Sequence, residues 1–349
     1  MSRFIFFGVF MVFIIIMLAM DLGVFHKDDH EVKMKEAGLW TAIWVLLSML
    51  LAVIIRLHAE WIHGIDTVEE LFAYASGTPL EHMLVDSKSF ADNLTIYRKE
   101  LASQYLAGYF LEESLSIDNI FVMIMIFISF GIDKRYYHRV LFWGILGAIV
   151  LRFIFIFALG ALVEQFSWVL AIFGIILIFS GIKMFKDDSD EPIDTERHPM
   201  VRFCTRYFRA TPKMDGHNFF SKIDGKTYIT PLFIVLMVIE FSDIIFAVDS
   251  IPAVFSVTTD TFIVYFSNIF AIMGLRSLFF LLSGVKDMFW MLSYGLGLLL
   301  CFIGAKMILG EFTSIHLSTT VSLCVILGIL ALSILLSLLF PKKSTPVES

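Results

Sequence analysis

The chain has 349 residues, 58% hydrophobic and 15% aromatic, with 17% charged and a net charge of -7; its mean hydropathy is +0.83. A soluble domain is roughly 45 to 50% apolar and about 25% charged, so this composition excludes a soluble enzyme, a disordered chain and a nucleic-acid binder and indicates a polytopic membrane protein. Cys204, Cys301 and Cys324 are scattered and offer no disulfide framework or metal-binding pair.

A helix crosses a hydrocarbon core of roughly 30 Å with about 20 apolar residues. Nine runs qualify, at 4–25, 37–56, 101–132, 140–163, 167–185, 229–257, 261–282, 289–310 and 318–340. The first lacks the short core and small-residue cleavage site of a signal peptide and is read as a retained span. Alternating the loops places 17 Lys and Arg on the face that holds segment 186–228 and the C-terminus, and five on the face that holds segment 57–100. The positive-inside rule makes the first face cytoplasmic in an inner or plasma membrane, with the N-terminus outside and the C-terminus inside.

The second half of the chain echoes the first. AIVLRFIFIF (148–157) resembles AIMGLRSLFF (271–280), and GIILIFSGIKM (174–184) resembles GLLLCFIGAKM (297–307), so Arg152 matches Arg276 and Lys183 matches Lys306. Each Arg-bearing span follows one with acids, LEESLSIDNIFV (111–122) and EFSDIIFAVDSIPA (240–253). Matching Asp118 to Asp249 also matches Glu112 to Asp243. Each unit has three helices, an odd number, so the second enters from the opposite side, the inverted-repeat arrangement of secondary transporters. The expected organisation is an N-terminal extension of two helices and an external segment (1–100), a first repeat (101–185), a cytoplasmic loop (186–228), a second repeat (229–310) and a last helix with a tail (311–349).

Acids inside a membrane are costly and mark function by default. Glu112, Asp118, Asn119, Glu240, Asp243 and Asp249 are the candidate metal ligands, with Ser114, Ser116, Ser242 and Ser250 as nearby oxygens and Arg152 and Arg276 as counter-charges. Glu113 has no counterpart in the second repeat. A set of oxygen donors without thiolate or imidazole suits a hard divalent ion such as Mn, Mg or Ca. On a continuous helix Glu112 and Asp118 differ by about 600° and face different ways, so a broken helix is expected there, with Pro252 supplying the break in the second repeat. The competing reading is that the arginines merely neutralise the acids in buried pairs. No histidine falls mid-span; His58 and His63 read as interface residues, and His26, Asp28, Asp29 and His30 as a solvated loop or a peripheral metal sensor.

With those residues in view, the sequence resembles the TerC family of integral membrane proteins, through GYFLEESLSIDNIFV (108–122), IEFSDIIFAVDSIPAVF (239–255) and, in a longer branch, MDLGVFHK (20–27). The resemblance implies a metal-ion transporter, chiefly for manganese efflux, with an association to tellurium resistance, and it implies that Glu112, Asp118, Asn119, Glu240, Asp243 and Asp249 are the functional positions. An acid cluster would repel a tellurite oxyanion. The expected protein is not an enzyme and has no resident cofactor; its partners are the lipid bilayer, the divalent ion and other membrane proteins, without nucleic acid. Two alternatives remain: an accessory protein that delivers metal within a complex, and an intramembrane aspartyl protease built on Asp118 and Asp249.

Overall fold

The computed structural model describes residues 3–25, 34–76, 78, 80–166, 168–185, 198–283, 291–313 and 317–340. The loop with His26, Asp28, Asp29 and His30 lies outside them. The helices are α1 (Arg3–Phe25), α2 (Met34–His58), α3 (Glu60–His63), α4 (Val68–Ala75), α5 (Phe90–Ser129), α6 (Tyr137–Gln165), α7 (Val169–Met184), α8 (Pro199–Tyr207), α9 (Pro231–Phe255), α10 (Thr261–Ser283), α11 (Leu292–Phe312) and α12 (Thr319–Leu339). One antiparallel hairpin, β1 (Phe220–Ile223) and β2 (Lys226–Ile229), turns at Asp224 and Gly225. Both turn residues have positive φ, 51° and 74°, which is what a tight two-residue hairpin requires.

Among the described residues six helices are long and apolar enough to cross a membrane: Met34–His58, Lys134–Gln165, Pro231–Phe255, Thr261–Ser283, Leu292–Phe312 and Thr319–Leu339. The sequence suggested nine. The difference lies in α1, whose described apolar stretch is Ile5–Met17, in α7, which has 16 residues, and in α5, which carries several acids and bases among its 40. The expected break in the acid-bearing helices is absent. α5 runs unbroken from an N-cap at Ser89, whose hydroxyl accepts from the Asp92 amide, to Ser129. α9 also continues past Pro252, which sits in its last turn, where the missing N–H costs one intrahelical bond without ending the helix.

α10 is the axis of the bundle: 94% of its most apolar stretch is buried, against α2, α5 and α6. α5 packs on α10 and α9 packs on α6, so each acid-bearing helix lies against the arginine-bearing helix of the other half. α7 and α11 touch backbone to backbone. A Cβ on Gly174 would come within 2.8 Å of the Gly304 carbonyl oxygen, and one on Gly181 within 2.6 Å of the Gly297 carbonyl oxygen. In the sequence alignment Gly174 matches Gly297 and Gly181 matches Gly304, so the matching exchanges one contact with the other.

Contacts also sort the loops. His63 reaches Asp260, and Thr319 reaches Glu100, which gathers residues 59–76, 258–260 and 318–319 at one face. At the opposite face the Arg139 guanidinium lies 5.1 Å from the Phe219 ring, which brings the start of α6 to the hairpin.

Candidate buried carboxylate site

The site grows from helix register. Glu112 on α5, Arg152 on α6 and Asp243 on α9 project into the seam where the three helices meet, and all three are buried, Arg152 and Glu112 completely. Arg152 Nη1 donates to Glu112 Oε1, and Nη2 donates to Asp243 Oδ1 at 3.2 Å. Two carboxylates therefore share one guanidinium, and the trio carries a net negative charge when both acids are ionised. The outer oxygens, Glu112 Oε2 and Asp243 Oδ2, have no hydrogen-bond partner. A buried acceptor left in that state costs about 1 to 3 kcal/mol, more for a charged group. Asp243 also lines a small cavity with Leu141, Gly144, Ala148, Ile239 and Ile272, of about 10 Å³, which is room for about one water.

Asp118 and Asp249 turn to serines outside this trio. Asp118 Oδ1 accepts from Ser293 Oγ on α11 at 3.5 Å, the long limit of such a bond, and Asp249 Oδ1 accepts from Ser180 Oγ on α7 at 3.2 Å. Glu240 fits against α6 at Gly147, where any side chain would collide with its carboxylate. Ser114 and Ser242 spend their hydroxyls on their own helices, donating to the Leu111 and Val238 carbonyls. Ser116 and Ser250 are buried with hydroxyls that find no partner, as is the Asn119 amide nitrogen. Arg276 is buried on α10. Among the described residues no three His, Cys, Asp or Glu side chains converge closely enough to hold a metal.

Three residues went unnoticed in the sequence. Ser180 and Ser293 hold acids, yet serines in apolar helices are too common to stand out. Asn268 is fully buried on α10 with both amide atoms unpartnered, and an amide in the middle of the 261–282 run is the sequence signal that points to it. His63, read as an interface residue, is instead buried against Asp260.

A helical protein with several helices long and apolar enough to cross a membrane, and ionisable groups sealed between them, belongs among integral membrane proteins. Residues 97–345 match the Integral membrane protein TerC family, and this chain belongs to that family. It is 41% identical to the membrane-bound redox modulator Alx of Escherichia coli K12, over 95% of this chain and 93% of the relative. An uncharacterized membrane protein of Myxococcus xanthus is 42% identical over 95% of this chain and 91% of its own length. The tellurium resistance protein TerC of Serratia marcescens is 34% identical over 96% of each chain. No solved structure matches.

Proposed function

We propose that this protein is a transporter that exports a divalent metal cation, manganese above others, from the cytoplasm. The observation that carries the reading is the Glu112, Arg152 and Asp243 trio: acids at matching positions of the two halves converge on one buried cation and keep two oxygens unpartnered. A charge-balanced packing motif has no use for those oxygens, whereas an incoming cation does. In this reading the guanidinium holds the acids while no metal is bound, and the metal draws Asp118, Asp243, Asp249 and Glu240 together as the helices shift. The mutual exchange of the two glycine contacts between α7 and α11 supports two halves related by inverted repetition.

The face rich in Lys and Arg is cytoplasmic in this reading. The names of the relatives add tellurium resistance and redox modulation. Tellurite has no partner among these acids, and the three cysteines are free thiols, so metal export fits the interior best. Asp118 and Asp249 turn to serines on different helices, which does not suit a protease dyad that must share one water.

The test is the manganese content of cells challenged with Mn. Wild-type protein should lower it, and Asp243→Asn and Asp118→Asn, at matched membrane levels, should weaken export at least about tenfold, equivalent to about 1.4 kcal/mol. Equal manganese in cells with and without the wild-type protein overturns the reading.

A further inference from the structure

Asn268 sits on α10, the buried axis of the bundle, and neither its Oδ1 nor its Nδ2 has a hydrogen-bond partner. Buried amides are hydrogen-bonded as a rule, and one left unpartnered destabilises the fold. A leucine of similar volume would fill the same space without that cost. Packing alone therefore gives no reason for an amide here.

Helix register shows what Asn268 faces. α6 and α10 run antiparallel along a shared face. A Cβ on Gly160 would collide with Thr261, the Tyr265 ring lies 5.6 and 5.8 Å from the Phe153 and Phe157 rings, and Ile272 lines the small cavity beside Asp243 together with Ala148. Positions 261, 265, 268 and 272 follow the three- and four-residue spacing of one helix face. As α10 advances along that face, α6 retreats from Gly160 to Ala148, and the α6 residue level with Asn268 is Arg152. The Arg152 Nε is itself without a partner. α5 contributes to the same layer. It runs parallel to α10, with Gly108 beside Ser267 and Glu113 beside Gly274. Asn119, whose amide nitrogen is also unpartnered, stands one turn before the cavity residue Met123. Asn268 thus faces the seam that holds Glu112, Arg152 and Asp243.

We propose that Asn268 is a neutral ligand of the carboxylate site, its Oδ1 coordinating the divalent cation that Glu112 Oε2 and Asp243 Oδ2 attract. Side-chain amide oxygens are hard donors that serve beside carboxylates in oxygen-ligated cation sites. The amide also adds a ligand without adding charge to a trio that is already net negative when both acids are ionised, so the empty site gains no further repulsion. The acids come from α5 and α9, and α10 carries none. A ligand on α10 therefore ties the bound ion to the axis of the bundle as well as to its two acid-bearing helices. This inference rests on the transport reading and adds a residue to its site.

The test is Mn binding to the purified full-length protein in nanodiscs, with free Mn counted by its electron paramagnetic resonance signal, beside thermal unfolding of the metal-free protein. Asn268→Leu should weaken Mn binding at least about tenfold, while Tm of the metal-free protein holds or rises because an unpartnered amide is gone. A packing role predicts the reverse, a lower Tm with Mn affinity unchanged, and that result overturns the inference. Asn268→Cys replaces the hard oxygen with a soft sulfur and should raise the affinity for Cd relative to Mn at least about tenfold; an unchanged ratio also overturns it. If Asn268→Leu does not fold, the Asn268→Cys ratio decides. Wild-type protein that binds no Mn overturns the transport reading and this ligand with it, whereas wild-type binding that Asn268→Leu leaves intact overturns the ligand alone.

Discussion

Two buried ionic clusters differ in how completely their hydrogen-bonding capacity is used. Around His63 both ring nitrogens have partners, Asp260 and the Tyr97 hydroxyl, and the carboxylate of Asp260 also accepts from the Tyr74 hydroxyl and the Phe262 and Ile263 amides. Around Arg152 two carboxylates share one guanidinium, and Glu112 Oε2, Asp243 Oδ2 and Arg152 Nε have no hydrogen-bond partner. Low dielectric strengthens a satisfied network and penalises an unsatisfied one. The first cluster therefore fastens parts of the chain to one another, and the second leaves part of its hydrogen-bonding capacity unused.

The largest effect should come from Arg152→Met. Removing the guanidinium leaves two buried carboxylates uncompensated, and breaking a buried pair in this way costs about 3 to 5 kcal/mol. Thermal unfolding in detergent should show a large fall in Tm, partly restored when Glu112→Gln and Asp243→Asn are added. An unchanged Tm would mean that the trio is solvated and would dissolve the contrast with His63.

Gly181→Leu should come next. Its side chain would meet the Gly297 carbonyl oxygen and Cys301, and because a backbone atom cannot swing aside, the cost lies near the upper end of the roughly 1 to 3 kcal/mol typical of overpacking. Gly328→Leu is the control, since nothing lies within 4 Å of a Cβ there. Equal effects of the two substitutions on Tm would show that the α7–α11 contact is looser than its glycines indicate.

Much of this was legible in the sequence, and the remainder failed for physical reasons. Hydropathy found the long apolar helices because lipid and helix interior demand the same residues. It began the α5 span at 101, whereas the helix begins at Phe90, because the first three turns are polar and obey capping rather than hydropathy. The hairpin sat inside a segment read as loop, although Asp224 and Gly225 carry a recognisable turn signal. Equal spacing of Glu112 with Asp118 and of Asp243 with Asp249 marked matching acids, and the structure brings Glu112 and Asp243 to a common partner. It could not reveal that Arg152 would take both, since that depends on how α6 packs between α5 and α9. Ser114 and Ser242 look like ligands in a sequence and behave as ordinary helical serines, bonding to carbonyls three or four residues back. His63 was misread because its partner Asp260 lies far along the chain.

The smaller effects sharpen the comparison from the side of the satisfied cluster. Ser89→Ala removes the N-cap of α5 and should cost about 1 kcal/mol, visible as faster exchange of the Asp92 and Asn93 amides, with the buried trio undisturbed.

The Arg98 and Glu60 pair should matter least. It is a two-pronged contact: Arg98 Nε donates to Glu60 Oε2 at 2.7 Å and Nη2 donates to Oε1. It joins α3 to α5 beside His63, so its geometry is good, but it is partly open to solvent, where such pairs contribute about 0.2 to 1 kcal/mol. Burial alone would raise the Glu60 carboxyl; the hydrogen bond and charge of Arg98, with backbone and His58 contacts, outweigh that and lower it. A lowered carboxyl stabilises above its ordinary range and loses that contribution as pH falls through the lowered value. Arg98→Ala should therefore loosen α3 slightly at neutral pH and make no difference in strong acid. If exchange at residues 60–63 in Arg98→Ala instead departed from wild type only in strong acid, Glu60 would be held by something other than Arg98.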